Sequence, residues 1–158
     1  MTTQPGPRSG AQRKADTLAK LNTKGIDVWV ASASPSASGP AQPYLVPLSL
    51  AWIDERVVIA LEADSRTAHN ISANGTARLG LGPTRDVVLI DAVLDRAIKL
   101  EDAPDTLAEG YAAQADWDPR TAGGAYLYLV LRPQRIQAWR EANELAGRTL
   151  MRAGSWVV

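Results

Sequence analysis

Apolar and polar positions along this chain fall mainly into short β-type runs rather than long helical stripes. Residues 27–32 alternate, with Val28 and Val30 on one face and Trp29 and Ala31 on the other, which predicts a strand. Residues 44–53 are apolar and rich in strand formers, Asp54-Glu55-Arg56 supplies a turn, and residues 57–61 form a second apolar strand. A short helix follows, opening near Asp64 or Ser65 and stopping at Asn74-Gly75. Residues 76–81 predict the next strand and residues 82–86 a turn in which Arg85 and Asp86 pair locally. Residues 87–100 form a long β-like run interrupted by Asp91 and Asp95, the pattern of a bent barrel strand with solvated positions. Two last strands, 126–131 and 136–140, are divided by Pro133.

Helical spacing is confined to short segments. Ala15, Leu18, Ala19 and Leu21 mark an amphipathic helix over 11–22 that Gly25 closes, and residues 104–115 form another with Pro104 in its first turn. Residues 1–10 predict a disordered tail, and 34–43 and 116–124 predict loops. Residues 141–158 are partly polar and end in Trp156-Val157-Val158. About six or seven strands with two or three helices, and no regular βαβ alternation, predict a mainly β fold. The expected architecture is a β-barrel with flanking helices at its rim, as a single domain over 11–158.

Composition narrows the function classes. At 158 residues the chain is one domain by length, and 17 basic against 17 acidic residues leave no broad field to attract nucleic acid or membrane. The absence of Cys removes disulfides, thiolate metal sites and a cysteine nucleophile. No apolar stretch approaches a membrane span and the first ten residues lack the apolar core of a signal peptide, so the expectation is a soluble cytoplasmic protein. Phe is also absent, so the five Trp are expected to take its place in core and subunit contacts.

Candidate chemistry concentrates between residues 43 and 70. A helix N-terminus offers free N–H groups and a partial positive charge, which favour a phosphate. Ser65 and Thr67 add hydroxyls there, and Arg66 adds a guanidinium able to grip the anion bidentately. A cation is disfavoured at that helix end unless an anion or solvent accompanies it. His69 is the only histidine and has no acid or metal-spaced partner, so it reads as a polar surface residue. No G-x-S-x-G elbow and no Walker lysine occurs, and no catalytic side chain is assigned.

Three features together resemble the pyridoxamine 5′-phosphate oxidase-like family of FMN-binding split β-barrels. They are Val46-Pro47-Leu48-Ser49 leading through a turn to a second strand, Ser65-Arg66-Thr67 opening a helix that runs into Asn70, and a late strand ending in Pro133 to Arg140. The resemblance implies a flavin-dependent oxidoreductase that acts on a small organic molecule as a homodimer, with FMN at the subunit interface. It implies main-chain groups of Val46, Pro47, Leu48 and Ser49 at the flavin ring, and Leu61 and Glu62 on the neighbouring strand. It further implies Ser65, Arg66, Thr67 and Asn70 around the phosphate, and Trp139 and Arg140 arriving from the other subunit. Thr67 stands where family members often carry a second basic residue, which leaves Arg78 or Arg85 to assist. Two alternatives stay open: an 8-hydroxy-5-deazaflavin (coenzyme F-420) reductase, whose acidic tail would use Arg56, Arg78 and Arg85, and a non-catalytic flavin- or haem-binding protein.

Overall fold

The computed structural model describes residues 5–35, 37 and 39–158. Residues 1–4 of the expected tail, and residues 36 and 38 of the expected 34–43 loop, lie outside the described residues. The period-2 pattern is realised first in β1 (Asp27–Ala33), where Val28 and Val30 are buried while Trp29 is 54% exposed. β1 pairs antiparallel with β2 (Pro43–Ser49) on one side and with β5 (Thr76–Leu81) on the other. β3 (Ala51–Ile53) and β4 (Arg56–Glu62) form a hairpin whose two turn residues, Asp54 and Glu55, both have positive φ (50° and 57°). That is the turn geometry whose twist matches paired strands. The sheet path runs β2-β1-β5-β6-β7-β4-β3, with β6 spanning Val87–Lys99 and β7 spanning Tyr126–Trp139.

Consecutive strands β2 and β3 therefore occupy opposite ends of the path although only Leu50 separates them. The sheet must curl until its ends meet, which makes a barrel, yet β2 pairs with β1 and β3 with β4 rather than with each other. The result is a barrel with an unzipped seam beside β2. The single apolar run 44–53 is thus a strand that changes partners at Leu50, whose N–H donates to the Ile26 carbonyl (3.2 Å).

β4 is buried on both faces, which explains its unbroken apolar run. Val57, Ile59 and Leu61 join the barrel core with Leu79, Ile90, Leu129 and Ile136. Val58 and Ala60 face the other way, onto Leu107, Ala108 and Tyr111 of α3 (Asp105–Ala115). Tyr111, 0% exposed, anchors this second core and packs edge-to-face on Tyr128 with ring centroids 5.5 Å apart. None of the five Trp belongs to either core. Trp52 and Trp156 pack partly against the barrel core, and aliphatic residues with Tyr111 and Tyr128 fill the volume expected of indoles.

Two expectations about late strands change. Pro133 does not divide the run: β7 continues through it, because Pro133 pairs with Ala92 at a bulge that leaves Gln134 as the extra residue. A missing N–H costs nothing where the ladder is already interrupted. The partly polar tail adds β8 (Thr149–Arg152), paired to β7, and β9 (Ser155–Trp156). Asp91 and Asp95 do sit at irregularities of β6, but each accepts from two arginines: Arg78 and Arg135 on Asp91, Arg56 and Arg132 on Asp95.

Arg8 and Ser9 make specific contacts. Helix α1 (Gly10–Leu21) begins with Ser9 as N-cap, its hydroxyl accepting from the Gln12 N–H (3.1 Å). Arg8 donates to Glu144 through its backbone N–H (2.9 Å) and two guanidinium nitrogens (2.9 and 2.7 Å), and to Asp16 (2.7 Å). Arg85 and Asp86 do not pair locally. Arg85 donates to Glu141 (2.6 Å), while Asp86 faces Lys20 at 3.0 Å and Arg140 at 3.4 Å. No described helix is long and apolar enough to cross a membrane, and the described residues hold no cluster of three metal-ligating side chains.

Candidate functional site

The seam opens into a cavity of about 520 Å³. One wall is β2, where Val46, Pro47, Leu48 and Ser49 all line the space and Tyr44 joins them. The facing wall is the end of β4, with Ala60, Leu61 and Glu62. The third side is the first turn of α2 (Arg66–Asn74), which contributes Ser65, Arg66 and Thr67. Nine residues expected at one site are therefore gathered around one cavity.

Local chemistry explains the α2 end. Ser65 is the N-cap, its hydroxyl oxygen accepting from the Ala68 N–H at 3.2 Å. Gly75 closes the helix at φ 72°, a left-handed position that glycine takes without steric cost. Arg66 and Thr67 are the first helical residues, so their N–H groups have no acceptor within the helix. The Arg66 guanidinium stacks on the Tyr44 ring, 5.0 Å from its centroid, and forms no ion pair among the described residues. Tyr44 thus aims a cation at the cavity without neutralising it.

Asn70 belongs to the scaffold. It is 4% exposed, and its Nδ2 donates to the Ser32 hydroxyl at 3.1 Å, pinning α2 to β1. Trp139 and Arg140 lie at the far end of β7 and do not line this cavity within the chain. Trp139 carries Arg148 over its ring (5.3 Å), and Arg140 joins the acidic group of Asp16 and Asp86. His69 is exposed on α2 and does not line the cavity either.

Sequence reasoning missed several lining residues. Trp117 and Tyr126, from the α3–β7 connection and the start of β7, form an edge-to-face pair with centroids 5.5 Å apart on the cavity wall. Trp117 lies in a loop between two aspartates, and no periodicity marks it. Asp27, at the first position of β1, also lines the cavity and forms no ion pair among the described residues. Behind the wall, the Tyr111 hydroxyl donates to the Ser49 carbonyl at 3.4 Å, and burial pushes its pKa up to about 12. It therefore remains a neutral donor at physiological pH. Gln114 of α3 braces the same region by accepting from the Trp52 N–H (2.7 Å) and donating to the Leu21 carbonyl.

This fold is shared with solved structures at low sequence identity. A putative pyridoxamine 5′-phosphate oxidase from Listeria innocua matches with a TM-score of 0.58 at 11% identity, covering 81% of this chain and 98% of that one. An F-420 reductase matches with a TM-score of 0.53 at 16% identity, covering 73% of this chain and 92% of that one. A heme binding protein from Mycobacterium smegmatis matches with a TM-score of 0.59 at 18% identity, covering 97% of this chain and 60% of that longer one. No protein-family model and no curated protein sequence matches the chain. The likeness establishes the mainly β split-barrel fold that the sequence resemblance implied.

Proposed function

We propose that this chain is a flavin-dependent oxidoreductase that holds FMN in the seam cavity and acts on a small organic molecule. The observation that carries the reading is Arg66: a guanidinium at the first turn of α2, held by Tyr44 and left without a carboxylate, beside unpaired backbone N–H groups. A terminal phosphate satisfies all of these groups at once. The hydroxyls of Ser65 and Thr67 add donors at the same point, and the β2 main chain from Val46 to Ser49 flanks the space available to a planar ring.

When bound, the flavin supplies the electron transfer, as redox cofactors do in general. The chain's own residues bind and orient it. Arg66 and the helix terminus fix the charged end, Leu61 and Val46 exclude water, and Glu62 and Ser49 offer polar contacts at the cavity wall. No side chain here is assigned as a general acid or base.

A homodimer fits the remaining surface. Trp29 (54% exposed), Leu45 (58%) and the exposed Pro47 share the outer face of β1 and β2, where Trp29 pairs with Pro47 and Ala31 with Leu45. This face continues directly into the cavity through Pro47 and Asp27. A second copy covering it would place residues at the cavity mouth, and Trp139 and Arg140 are the proposed contributors from that copy.

Two observations weigh against the other cofactors. The cations offered for a deazaflavin's acidic tail are already engaged: Arg56 with Asp95, Arg78 with Asp91 and Arg85 with Glu141. Haem would lack an imidazole at the cavity, since His69 does not line it.

The test is an absorption titration of the purified protein with FMN and with the deazaflavin coenzyme, repeated on Arg66→Ala. The reading expects a saturable FMN response that weakens by about 10–100-fold in the variant, the worth of a charge-assisted contact. Unchanged FMN affinity in Arg66→Ala overturns the clamp, and a response to the deazaflavin alone changes the cofactor.

A further inference from the structure

One corner of the cavity has the chemistry of a cation box. Glu62 and Tyr126 are direct cross-strand partners in the β4–β7 pair, so their side chains are neighbours on one face. Both line the cavity, and Tyr126 carries Trp117 edge-to-face at 5.5 Å. The resulting corner offers one carboxylate and two electron-rich rings. No protein cation fills it. Among the described residues Arg66 is the one basic residue lining the cavity, and its guanidinium stacks on the Tyr44 ring of β2.

The charges flanking Trp117 are already compensated. Asp116 pairs with Lys24 at 3.2 Å, and Asp118 takes Arg120 at 2.8 Å. Glu62, by contrast, forms no ion pair among the described residues, and neither does Asp27 on the wall of the same cavity. A carboxylate left open beside two aromatic rings favours an organic cation, which gains both Coulomb and quadrupole attraction there. An anion entering the same corner meets repulsion from Glu62 and from the ring faces.

We propose that the Glu62–Trp117–Tyr126 corner is the substrate subsite, and that it selects a planar nitrogen compound carrying a positive charge. This names a substrate class for the flavin site proposed above and rests on that reading. The cavity is then bipolar. Arg66 takes the anionic end of the cofactor, and Glu62 with its rings takes the cationic end of the reactant. Trp117 is 37% exposed, so it is accessible to an incoming ring without rearrangement of the core.

Calorimetric titration with the 1-methylnicotinamide cation and with neutral nicotinamide tests this, on FMN-free and on FMN-saturated protein. The two probes share a ring and a carboxamide and differ in charge. The expected result is about tenfold tighter binding of the cation in both forms. Glu62→Gln should bring the ratio close to one, and Trp117→Leu should weaken both probes. Glu62 is exposed, so its amide isostere leaves the fold intact. Equal affinities in the wild type, no cation binding at millimolar concentration, a preference that survives Glu62→Gln, or loss of the cation on adding FMN each overturns the subsite. Failure of the protein to bind FMN sinks the flavin reading by itself, and the cation preference is still read on the FMN-free protein.

Discussion

Arg8 and Arg66 show two uses of the same side chain in one small domain. Arg8 is almost enclosed, 10% exposed, and every nitrogen that points inward meets a carboxylate: Glu144, Asp16 and, at 3.6 Å, Asp86. Arg66 is exposed at a cavity mouth and meets only an aromatic ring. Burying a charge is tolerable only when it is compensated within the protein, so the Arg8 corner is a structural staple. Leaving a charge uncompensated at a concave surface keeps it available for a ligand. The difference between the two arginines separates a cation compensated within the fold from one left open to a ligand.

Breaking the staple should have the largest effect. Glu144 is 3% exposed and accepts from Arg8 and from the Arg140 N–H (2.9 Å). The Arg8 hydrogen bond holds its carboxyl near 2, against an ordinary value of 4.5. A difference of that size corresponds to roughly 3 kcal/mol of stability. Glu144→Gln should therefore lower the melting temperature by about 6–12 °C at pH 7, measured calorimetrically, with FMN affinity unchanged. Because the folded pKa is depressed, the contribution is fully present above about pH 4.5 and disappears as the pH falls toward 2. The gap between wild type and variant should close across that window, and a gap that persists at pH 2 would exclude the ion pair as its cause.

Breaking the clamp should reverse the pattern. Arg66→Ala is expected to lose about 2 kcal/mol of FMN binding while its melting temperature moves by less than about 2 °C. A smaller effect sharpens the comparison: Tyr44→Leu removes the ring that positions Arg66 and should weaken FMN by about 2–5-fold, the worth of an exposed cation–π contact. The smallest belongs to Arg85→Ala. Its partner Glu141 is a surface residue, and the side chain of Arg85 is 76% exposed, so stability should shift by no more than about 0.5 kcal/mol. A larger loss there would mean that exposed pairs near β7 hold the fold, contrary to the contrast drawn from Arg8.

The mainly β barrel was legible in the sequence, and the lining of the candidate cavity was legible in part. Eleven lining residues stand between Tyr44 and Thr67, nine of them expected, because β2, the β3–β4 hairpin and the start of α2 follow one another along the chain and the cavity lies between β2, β4 and α2. The helix stop at Gly75 and the cap at Ser65 follow from backbone chemistry that is local to a few residues. Asn70 read equally well as a site residue, since helical spacing alone does not say whether a side chain faces a cavity or a strand. Trp117 and Tyr126 were not legible, since the α3–β7 connection and the start of β7 contribute them from fifty or more residues along the chain.

Alternation in β1, the double-sided burial of β4 and the cap and stop of α2 were determined by the sequence itself, because each depends on neighbours two to four positions apart. The lack of cysteine chemistry follows from composition alone. Helix α1, expected to close at Gly25, is capped at Asn22. Tertiary structure decided the partner switch at Leu50, the passage of β7 through Pro133 and the pairing of Arg8 with a glutamate 136 residues later. It also decided that Arg66 forms no ion pair among the described residues. Pairing partners are chosen by barrel closure, which brings distant carboxylates to Arg56, Arg78 and Arg85 and none to Arg66. A local pattern can place a charge on a surface, but only the closed barrel determines whether an opposite charge meets it there.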